Sequence, residues 1–165
     1  MAERIVVGIS GASGIVYGVR ALQLLRECQV ETHLVVSKSA KLTLHHELDL
    51  TVKELEALAD VVYPAQDVGA AIASGSFATA GMLIAPCSVR TMSEIATGVT
   101  STLLTRAADV VLKERRRLVI MLRETPLHTG HLQTMLRLSE MGAVIAPPVP
   151  AFYTRPRTLD DMVTQ

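Results

Sequence analysis

Aromatic side chains are scarce in this chain of 165 residues: they make up 3% of it, and tryptophan is absent. A flavin stacked on tryptophan is therefore excluded. Cysteine is almost as rare, since Cys28 and Cys87 are the only two. Two cysteines exclude a disulfide scaffold and a multi-cysteine zinc site, and they fit the reducing cytoplasm, which is the expected location.

An excess of charge of either sign is also lacking, because 16 acidic residues balance 16 basic ones. This balance gives no reason to expect a nucleic-acid surface. No apolar run approaches the roughly 18 residues that a membrane span needs, and the first residues lead directly into a strand pattern. Neither a membrane helix nor a signal peptide is expected. The chain is nevertheless 49% apolar with a mean hydropathy of +0.35, which favours a homo-oligomer that buries additional surface.

Histidines are few and poorly spaced for a metal. His45 and His46 are adjacent and therefore point in different directions, and His128 and His131 are three residues apart. Neither pair has a third ligand at metal spacing. No metal site is expected.

Strand and helix patterns alternate along the chain. A β-branched run at 5–7 leads through glycines and serines into a helical pattern that opens at Ile15. Further strands are predicted over 31–37, 82–85, 118–122 and 143–146, and helices over 40–46, 52–59, 103–116 and 131–141. The segment 61–77 has no regular pattern. This order predicts an α/β fold in one domain, residues 1–165, with a parallel sheet and helices on both faces.

The turn after the first strand has glycines at positions 8, 11 and 14. Glycine lets backbone approach a phosphate closely, Ser10 and Ser13 offer hydroxyl groups, and the N-terminus of the following helix favours an anion. The spacing departs from G-x-G-x-x-G, so it predicts a mononucleotide or flavin site before a dinucleotide site. The alternative is a tight turn without a ligand, with Ser13 as a helix cap.

Three more loops follow predicted strands, beginning at Ser37, Pro86 and Arg123. Ligands of open parallel sheets bind outside the carboxyl ends of the strands. These loops and the glycine-rich turn are therefore predicted to form one site.

Several blocks of sequence occur in an order that resembles one family. They are G-I-S-G-A-S-G-x-x-Y-G, P-C-S-V-R-T, R-A-A-D-V-V-L-K-E-R-R, L-R-E-T-P-L and P-P-V-P-A-F-Y, which together span the chain from Arg4 to Asp161. The sequence is similar to the UbiX-type flavin prenyltransferases. The resemblance implies a flavodoxin-like or Rossmann-like three-layer fold, assembled into a dodecamer with active sites between subunits.

The resemblance also implies the reaction. Members of this family bind reduced FMN and join a dimethylallyl group from dimethylallyl monophosphate to N5 and C6 of the flavin, without a metal. The product, prenylated FMN, serves UbiD-type decarboxylases, which act in aromatic acid decarboxylation and ubiquinone biosynthesis.

The family's functional positions can be matched to this sequence. The resemblance implies flavin contacts at Gly11, Ala12, Ser13, Ser37, Ser88, Val89, Arg90, Thr91 and Arg123. It implies contacts with the prenyl phosphate at Arg106, Lys113, Glu124 and Tyr153, and catalytic roles for Ser13, Glu47 and Glu124. A further phosphate ligand of the family, an Arg in a C-terminal helix, falls beyond Gln165, so that helix is expected to be cut short.

Some of these roles also follow from the residue types. Arg106 and Lys113 are seven residues apart on one predicted helix, hence on one face, and both can hold a phosphate. Glu124 beside Arg123 can relay protons, and the Tyr153 hydroxyl can donate to the phosphate.

Two other functions remain open at this point. One is an FMN-binding carrier that forms no bond to the flavin. The other is a related flavin-dependent cysteine decarboxylase, against which the basic phosphate-binding set and Tyr17, in place of a histidine, both argue.

Overall fold

The architecture is a six-stranded, all-parallel sheet, seen in a computed structural model that describes residues 3–165. The strand order is β3-β2-β1-β4-β5-β6. The strands are β1 (Arg4–Ile9), β2 (Glu31–Val36), β3 (Val61–Tyr63), β4 (Gly81–Cys87), β5 (Arg117–Leu122) and β6 (Val144–Ile145). Because β1 lies between β2 and β4, the chain reverses its direction of winding beside it, and such a switch point opens a crevice at the carboxyl edge.

Among residues 3–165, seven helices connect or follow the strands. They are α1 (Ile15–Glu27), α2 (Lys38–Glu47), α3 (Val52–Glu56), α4 (Val89–Thr97), α5 (Leu103–Lys113), α6 (Thr129–Glu140) and α7 (Leu159–Thr164). Short 3-10 turns lie at Ala71–Ala73 and Phe152–Thr154. Helices α2, α4 and α5 each begin at a Ser or Thr whose hydroxyl accepts a backbone N–H of the first turn, which fixes their starting points.

The sheet buries side chains on both faces, as its continuous apolar strands require. On one face, Val7 and Ile9 of β1 pack with Leu22 of α1 and Leu44 of α2. On the other face, Met82 and Ile84 of β4 pack with residues of α4 and α5. The predicted α/β fold with helices on both faces is confirmed.

Most predicted elements are confirmed to within a few residues, and the differences have local causes. Strand β3 was missed because it is a three-residue edge strand whose middle residue, Val62, is 38% exposed. The helix predicted over 103–116 ends at Lys113, because Arg115 adopts a left-handed conformation with φ of 55°. Among residues 3–165 no helix is long and apolar enough to cross a membrane.

Candidate functional site

The loops after β1, β2, β4 and β5 meet at the carboxyl edge of the sheet and enclose two adjoining cavities. The glycine-loop cavity, of about 390 Å³, is lined by Gly11, Ala12, Ser13, Ser39, Ser88, Val89, Arg90, Arg123 and Glu124. The hydroxyl cavity, of about 360 Å³, is lined by Ser37, Lys38, Ser39, Leu42, Ser88, Arg90, Thr91, Glu94, Thr102, Leu104 and Thr105. Three residues, Ser39, Ser88 and Arg90, line both cavities, so the predicted convergence of the four loops is confirmed.

The residues that cap the N-termini of three helices line the hydroxyl cavity. Ser37 begins α2, Ser88 begins α4 and Thr102 begins α5. The three cap hydroxyls accept the backbone N–H of the third residue along, at 3.1, 3.2 and 3.4 Å respectively. Each helix end carries a partial positive charge, so the three together favour an anion in this cavity.

Hydroxyl groups in the same cavity are arranged in neighbouring pairs. The oxygens are 3.1 Å apart between Ser37 and Ser39, and 3.3 Å apart between Thr102 and Thr105. The Ser37 and Ser39 hydroxyls can turn to donate a hydrogen bond to a ligand, and Lys38 and Arg90 add two cations to the cavity wall. This donor set suits a phosphate group.

The N-terminus of α1 differs from the prediction. Its N-cap is Gly14, in a left-handed conformation with φ of 104°, and no side chain caps it. Instead the carboxylate of Glu47, at the end of α2, accepts the Gly14 N–H at 2.9 Å and the Ile15 N–H at 3.0 Å. The prediction of a phosphate cradle at this helix end is therefore corrected: a carboxylate of the chain already satisfies these donors.

The Ser13 hydroxyl lies close enough to the Glu47 carboxylate to lower its pKa. Burial acts to raise the pKa of Glu47, but the hydrogen bonds from Ser13, Gly14 and Ile15 and the nearby charge of Arg123 hold this pKa below its ordinary value. Ser13 is therefore not the helix cap. The Ser13 hydroxyl, which lines the glycine-loop cavity, lies beside the Glu47 carboxylate.

Two close approaches fix the position of the glycine-rich loop. A Cβ on Gly11 would lie 2.4 Å from the Ser39 hydroxyl oxygen, so only glycine lets this loop approach the start of α2. The buried Ser10 hydroxyl donates to the Pro86 carbonyl at 3.1 Å and accepts the Ser88 N–H at 2.8 Å. Ser10 thereby joins the loop after β1 to the loop after β4.

Arg123 and Glu124 follow β5 and lie at the open side of the glycine-loop cavity. The Arg123 N–H donates to the Cys87 carbonyl at 3.0 Å, which continues the pairing of β4 and β5 to the rim. Both side chains are exposed, and the Glu124 carboxylate accepts the N–H of Thr125 at 3.0 Å. A guanidinium and a carboxylate are thus presented together beside the cavity.

Cys87 lies beneath the site and is fully buried. Burial raises the pKa of its thiol to about 12, against smaller opposing effects of hydrogen bonds from Ser10 and Met92. The thiol stays protonated at neutral pH and is not a nucleophile. The second cysteine, Cys28, is exposed at the end of α1.

The predicted ligands of the prenyl phosphate are not all brought to this edge within one chain. Arg106 and Lys113 do share α5, but neither lines either cavity. The Arg106 guanidinium donates to the Ala73 carbonyl and to Asp109, and Lys113 pairs with Glu114. Lys113 lies about 16 Å along the helix from its capped start, toward the amino edge of the sheet.

Tyr153 is also separate from the two cavities. It lies in the short turn Phe152–Thr154 of the proline-rich tail, with 88% of its surface exposed. Phe152 beside it is 70% exposed, and Leu136 on α6 is 61% exposed. Large exposed apolar side chains of this kind are typical of surfaces that another chain covers.

Several residues that line the hydroxyl cavity were not predicted from the sequence: Lys38, Ser39, Glu94, Thr102 and Thr105. The two threonines were detectable, because Thr102 and Thr105 form a capping box at the start of α5. Glu94 gave no such signal, since it is one more polar residue on a helix.

A larger depression lies at the opposite, amino edge of the sheet. It has a volume of about 750 Å³ and an apolar floor that includes Ile5, Leu83 and Val119, with Arg115 and Arg117 at its rim. It receives none of the capped helix starts described above, so it does not resemble a phosphate site. The two cavities at the carboxyl edge are therefore the better candidate.

The residues present fit FMN. The hydroxyl cavity supplies helix N-termini, hydroxyls and cations for the phosphate, and the adjoining glycine-loop cavity supplies Ala12, Val89 and the glycine backbone for a flat ring. A parallel α/β sheet with such a site defines a mononucleotide-binding flavoprotein. The family model described as Flavoprotein matches residues 1–163.

Comparison with individual proteins is more specific. The chain is 59% identical over 164 residues to the flavin prenyltransferase UbiX of Escherichia coli K12, covering 99% of this chain and 87% of that protein. It superposes with a TM-score of 0.98 and 47% identity on the crystal structure of AnUbiX (PadA1) in complex with FMN and dimethylallyl pyrophosphate, over 99% of this chain and 87% of that one. A dodecameric FMN-dependent UbiX-like decarboxylase from Escherichia coli O157:H7 gives a TM-score of 0.95 at 50% identity, over 97% and 88% of the two chains.

The chain belongs to the UbiX-type flavin prenyltransferases within the flavoprotein family.

Proposed function

We propose that this protein is a flavin prenyltransferase that joins the dimethylallyl group of dimethylallyl monophosphate to N5 and C6 of reduced FMN, giving prenylated FMN. One observation carries the proposal. The hydroxyl cavity, at three helix N-termini, shares part of its wall with the glycine-loop cavity beside Arg123 and Glu124, in a chain 59% identical to a flavin prenyltransferase.

The two cavities would bind different parts of FMN. Ser37, Ser88 and Thr91, with Arg90 at the junction, would hold the phosphate. Gly11, Ala12, Ser13 and Val89 would lie along the ring. When bound, reduced FMN supplies the electron-rich N5 and C6 atoms that accept the allyl group.

Arg123 and Glu124 would serve the leaving group and the protons. The C–O bond of the prenyl phosphate breaks, and Arg123 would take up the charge that develops on the departing phosphate. Protons are lost from N5 and C6, and one proton is taken up by the allyl double bond when the bond to C6 forms. Glu124 would pass the protons among the flavin, the allyl group and the departing phosphate. The Glu47 carboxylate holds Ser13 and Gly14 in place, so its role would be to fix the loop against the ring edge.

Arg106, Lys113 and Tyr153 would bind the prenyl phosphate from neighbouring subunits. Within one chain they do not line the cavities, whereas the exposed apolar side chains of α6 and the tail offer surface for assembly. The oligomer would be a dodecamer, as its similarity to a dodecameric relative supports.

The remaining assignments depend on the same reaction. Residues 1–165 would form one flavin-binding unit, in the cytoplasm, and the product would pass to a UbiD-type decarboxylase. A carrier that binds FMN without transfer is the second candidate, and it is favoured by the distance of Lys113 from the flavin cavities.

The experiment is an anaerobic incubation of the protein with reduced FMN and dimethylallyl monophosphate, followed by mass spectrometry of the released flavin. We expect a flavin heavier by one C5 unit. Arg123→Ala is expected to lower its rate of formation by about 100-fold, whereas Lys53→Ala, which changes an exposed lysine of α3, keeps it. Recovery of unmodified FMN alone from the unaltered protein would support the carrier instead.

A further inference from the structure

A carboxylate lies in the wall of the cavity that is otherwise built for an anion. Glu94, on α4, lines the hydroxyl cavity, and its side chain is only 19% exposed. Its Oε1 accepts a hydrogen bond from the Arg90 guanidinium at 3.0 Å, and its Oε2 accepts one from the Ser101 hydroxyl at 3.2 Å. Both carboxylate oxygens are therefore held in place.

Glu94 opposes the rest of the cavity electrostatically. Two cations line the cavity, Lys38 and Arg90, and Glu94 forms an ion pair with one of them. Among residues 3–165, Lys38 makes no ion pair. The pair with Arg90 halves the net positive charge that the two cations bring to a phosphate, and the carboxylate itself repels a phosphate dianion.

A flavin that is a substrate and a product, and not a resident cofactor, must leave after each turnover. Binding that holds substrate, transition state and product equally tightly gives no gain in turnover. A fixed negative charge beside the phosphate lowers affinity for every flavin phosphate without touching the reacting ring.

We propose that the negative charge of Glu94 lowers the affinity of the hydroxyl cavity for the flavin phosphate, so that the flavin product can be released. This inference rests on the proposed function, because it needs FMN phosphate in the hydroxyl cavity. It assigns Glu94 a role in setting affinity and product release, separate from the chemistry at Arg123 and Glu124.

The test compares FMN with riboflavin, which has the same ring but no phosphate. Dissociation constants are measured by fluorescence quenching for the unaltered protein and for Glu94→Gln, which keeps the shape and hydrogen-bonding oxygen but removes the charge. We expect Glu94→Gln to bind FMN about five- to ten-fold more tightly at low salt, with a smaller gain at high salt. Riboflavin affinity is expected to stay the same.

Ser101→Ala provides the matched control, because it removes a hydrogen bond of Glu94 and leaves its charge. We expect it to leave the FMN dissociation constant within about two-fold. Weaker FMN binding by Glu94→Gln alone would mean that the carboxylate orients Arg90 instead, and equal changes for FMN and riboflavin would mean a purely structural role. Unchanged FMN affinity would also overturn the proposal. If the unaltered protein binds neither flavin, the proposed function itself fails.

Discussion

At the scale of single residues, Glu47 is the side chain that links the ends of two helices. Glu47 is the last residue of α2, and its carboxylate accepts N–H groups at the start of α1, 33 residues earlier in the chain. A carboxylate at a helix N-terminus is stabilising, because it satisfies orphan donors and complements the helix dipole. The same contact keeps the glycine-rich loop in one conformation beside the site.

Replacing Glu47 with glutamine is expected to lower the free energy of unfolding by about 1 kcal/mol at neutral pH, since the charge is lost and one oxygen becomes an amide. The native-state pKa lies below the ordinary 4.5, so the stabilisation is present above that pH and disappears as the pH falls through the native-state value. Urea unfolding of both proteins between pH 7 and pH 3 measures this: the two curves should converge below pH 4.5.

Asp49→Asn is the matched control for that series. Asp49 is an exposed acid two residues further on, with no side-chain hydrogen bond or ion pair among residues 3–165. Its replacement should leave stability within about 0.5 kcal/mol at every pH. A constant difference between Glu47→Gln and the unaltered protein down to pH 3 would contradict the role assigned to the charge.

At the scale of elements, the site depends on how loops are joined at the carboxyl edge. Ser10 is completely buried, and its hydroxyl has one hydrogen bond to Pro86 at the end of β4 and one to Ser88 at the start of α4. Its hydroxyl therefore sets the distance between the glycine-rich loop and the start of α4. That distance determines how the two cavities adjoin.

Ser10→Ala should lower the free energy of unfolding by about 1–3 kcal/mol, because it leaves the half-buried Ser88 N–H without its acceptor. FMN affinity should fall as well, since Ser88 lines both cavities. Denaturant unfolding and flavin fluorescence measure the two effects. Ser139→Ala, on the exposed side of α6, is the control, and a Ser10→Ala protein as stable as this control would refute the role of the bridge.

The sequence predicted the elements better than it predicted the contacts between them. Ser37, Ser88 and Arg123 were placed at one edge because strands followed by polar loops imply a parallel sheet, and the structure confirms this. The hydrogen bond between the Glu47 carboxylate and the Gly14 N–H was not predictable, because it depends on how α2 packs beside α1. For the same reason the α1 N-terminus was taken for a phosphate cradle.

At the scale of the whole molecule, the two sets of proposed ligands lie at different places on one chain. Arg123 and Glu124 lie at the carboxyl edge, whereas α5 runs away from that edge and ends at Lys113. Because α5 runs antiparallel to the strands, its C-terminal end lies far from the carboxyl edge. Lys113 and Arg123 are therefore separated within one subunit. The order of sequence blocks identifies Lys113 as a candidate ligand, but it does not show whether Lys113 contributes to the site of its own subunit or of a neighbour.

Subunit complementation tests whether Lys113 serves a neighbour. Arg123→Ala and Lys113→Ala are each expected to be inactive alone, but they alter different surfaces of the subunit. When the two variants are co-expressed with different tags and purified through both, a site between subunits draws an intact Arg123 from one chain and an intact Lys113 from another. Random assembly of a symmetric oligomer then gives about one quarter of the unaltered prenyl-transfer rate.

The control for that experiment mixes Arg123→Ala with Ser37→Ala, because Ser37 and Arg123 line the two adjoining cavities of the same chain and would serve the same flavin. The prenyl-transfer rate of this mixed oligomer should not exceed the rate of the more active of the two variants. A mixed Arg123→Ala and Lys113→Ala oligomer without activity would place Lys113 in its own subunit's site or outside the reaction. Recovered activity would instead explain why so apolar a chain keeps its phosphate ligands on exposed surfaces: assembly, and not folding, brings them to the flavin.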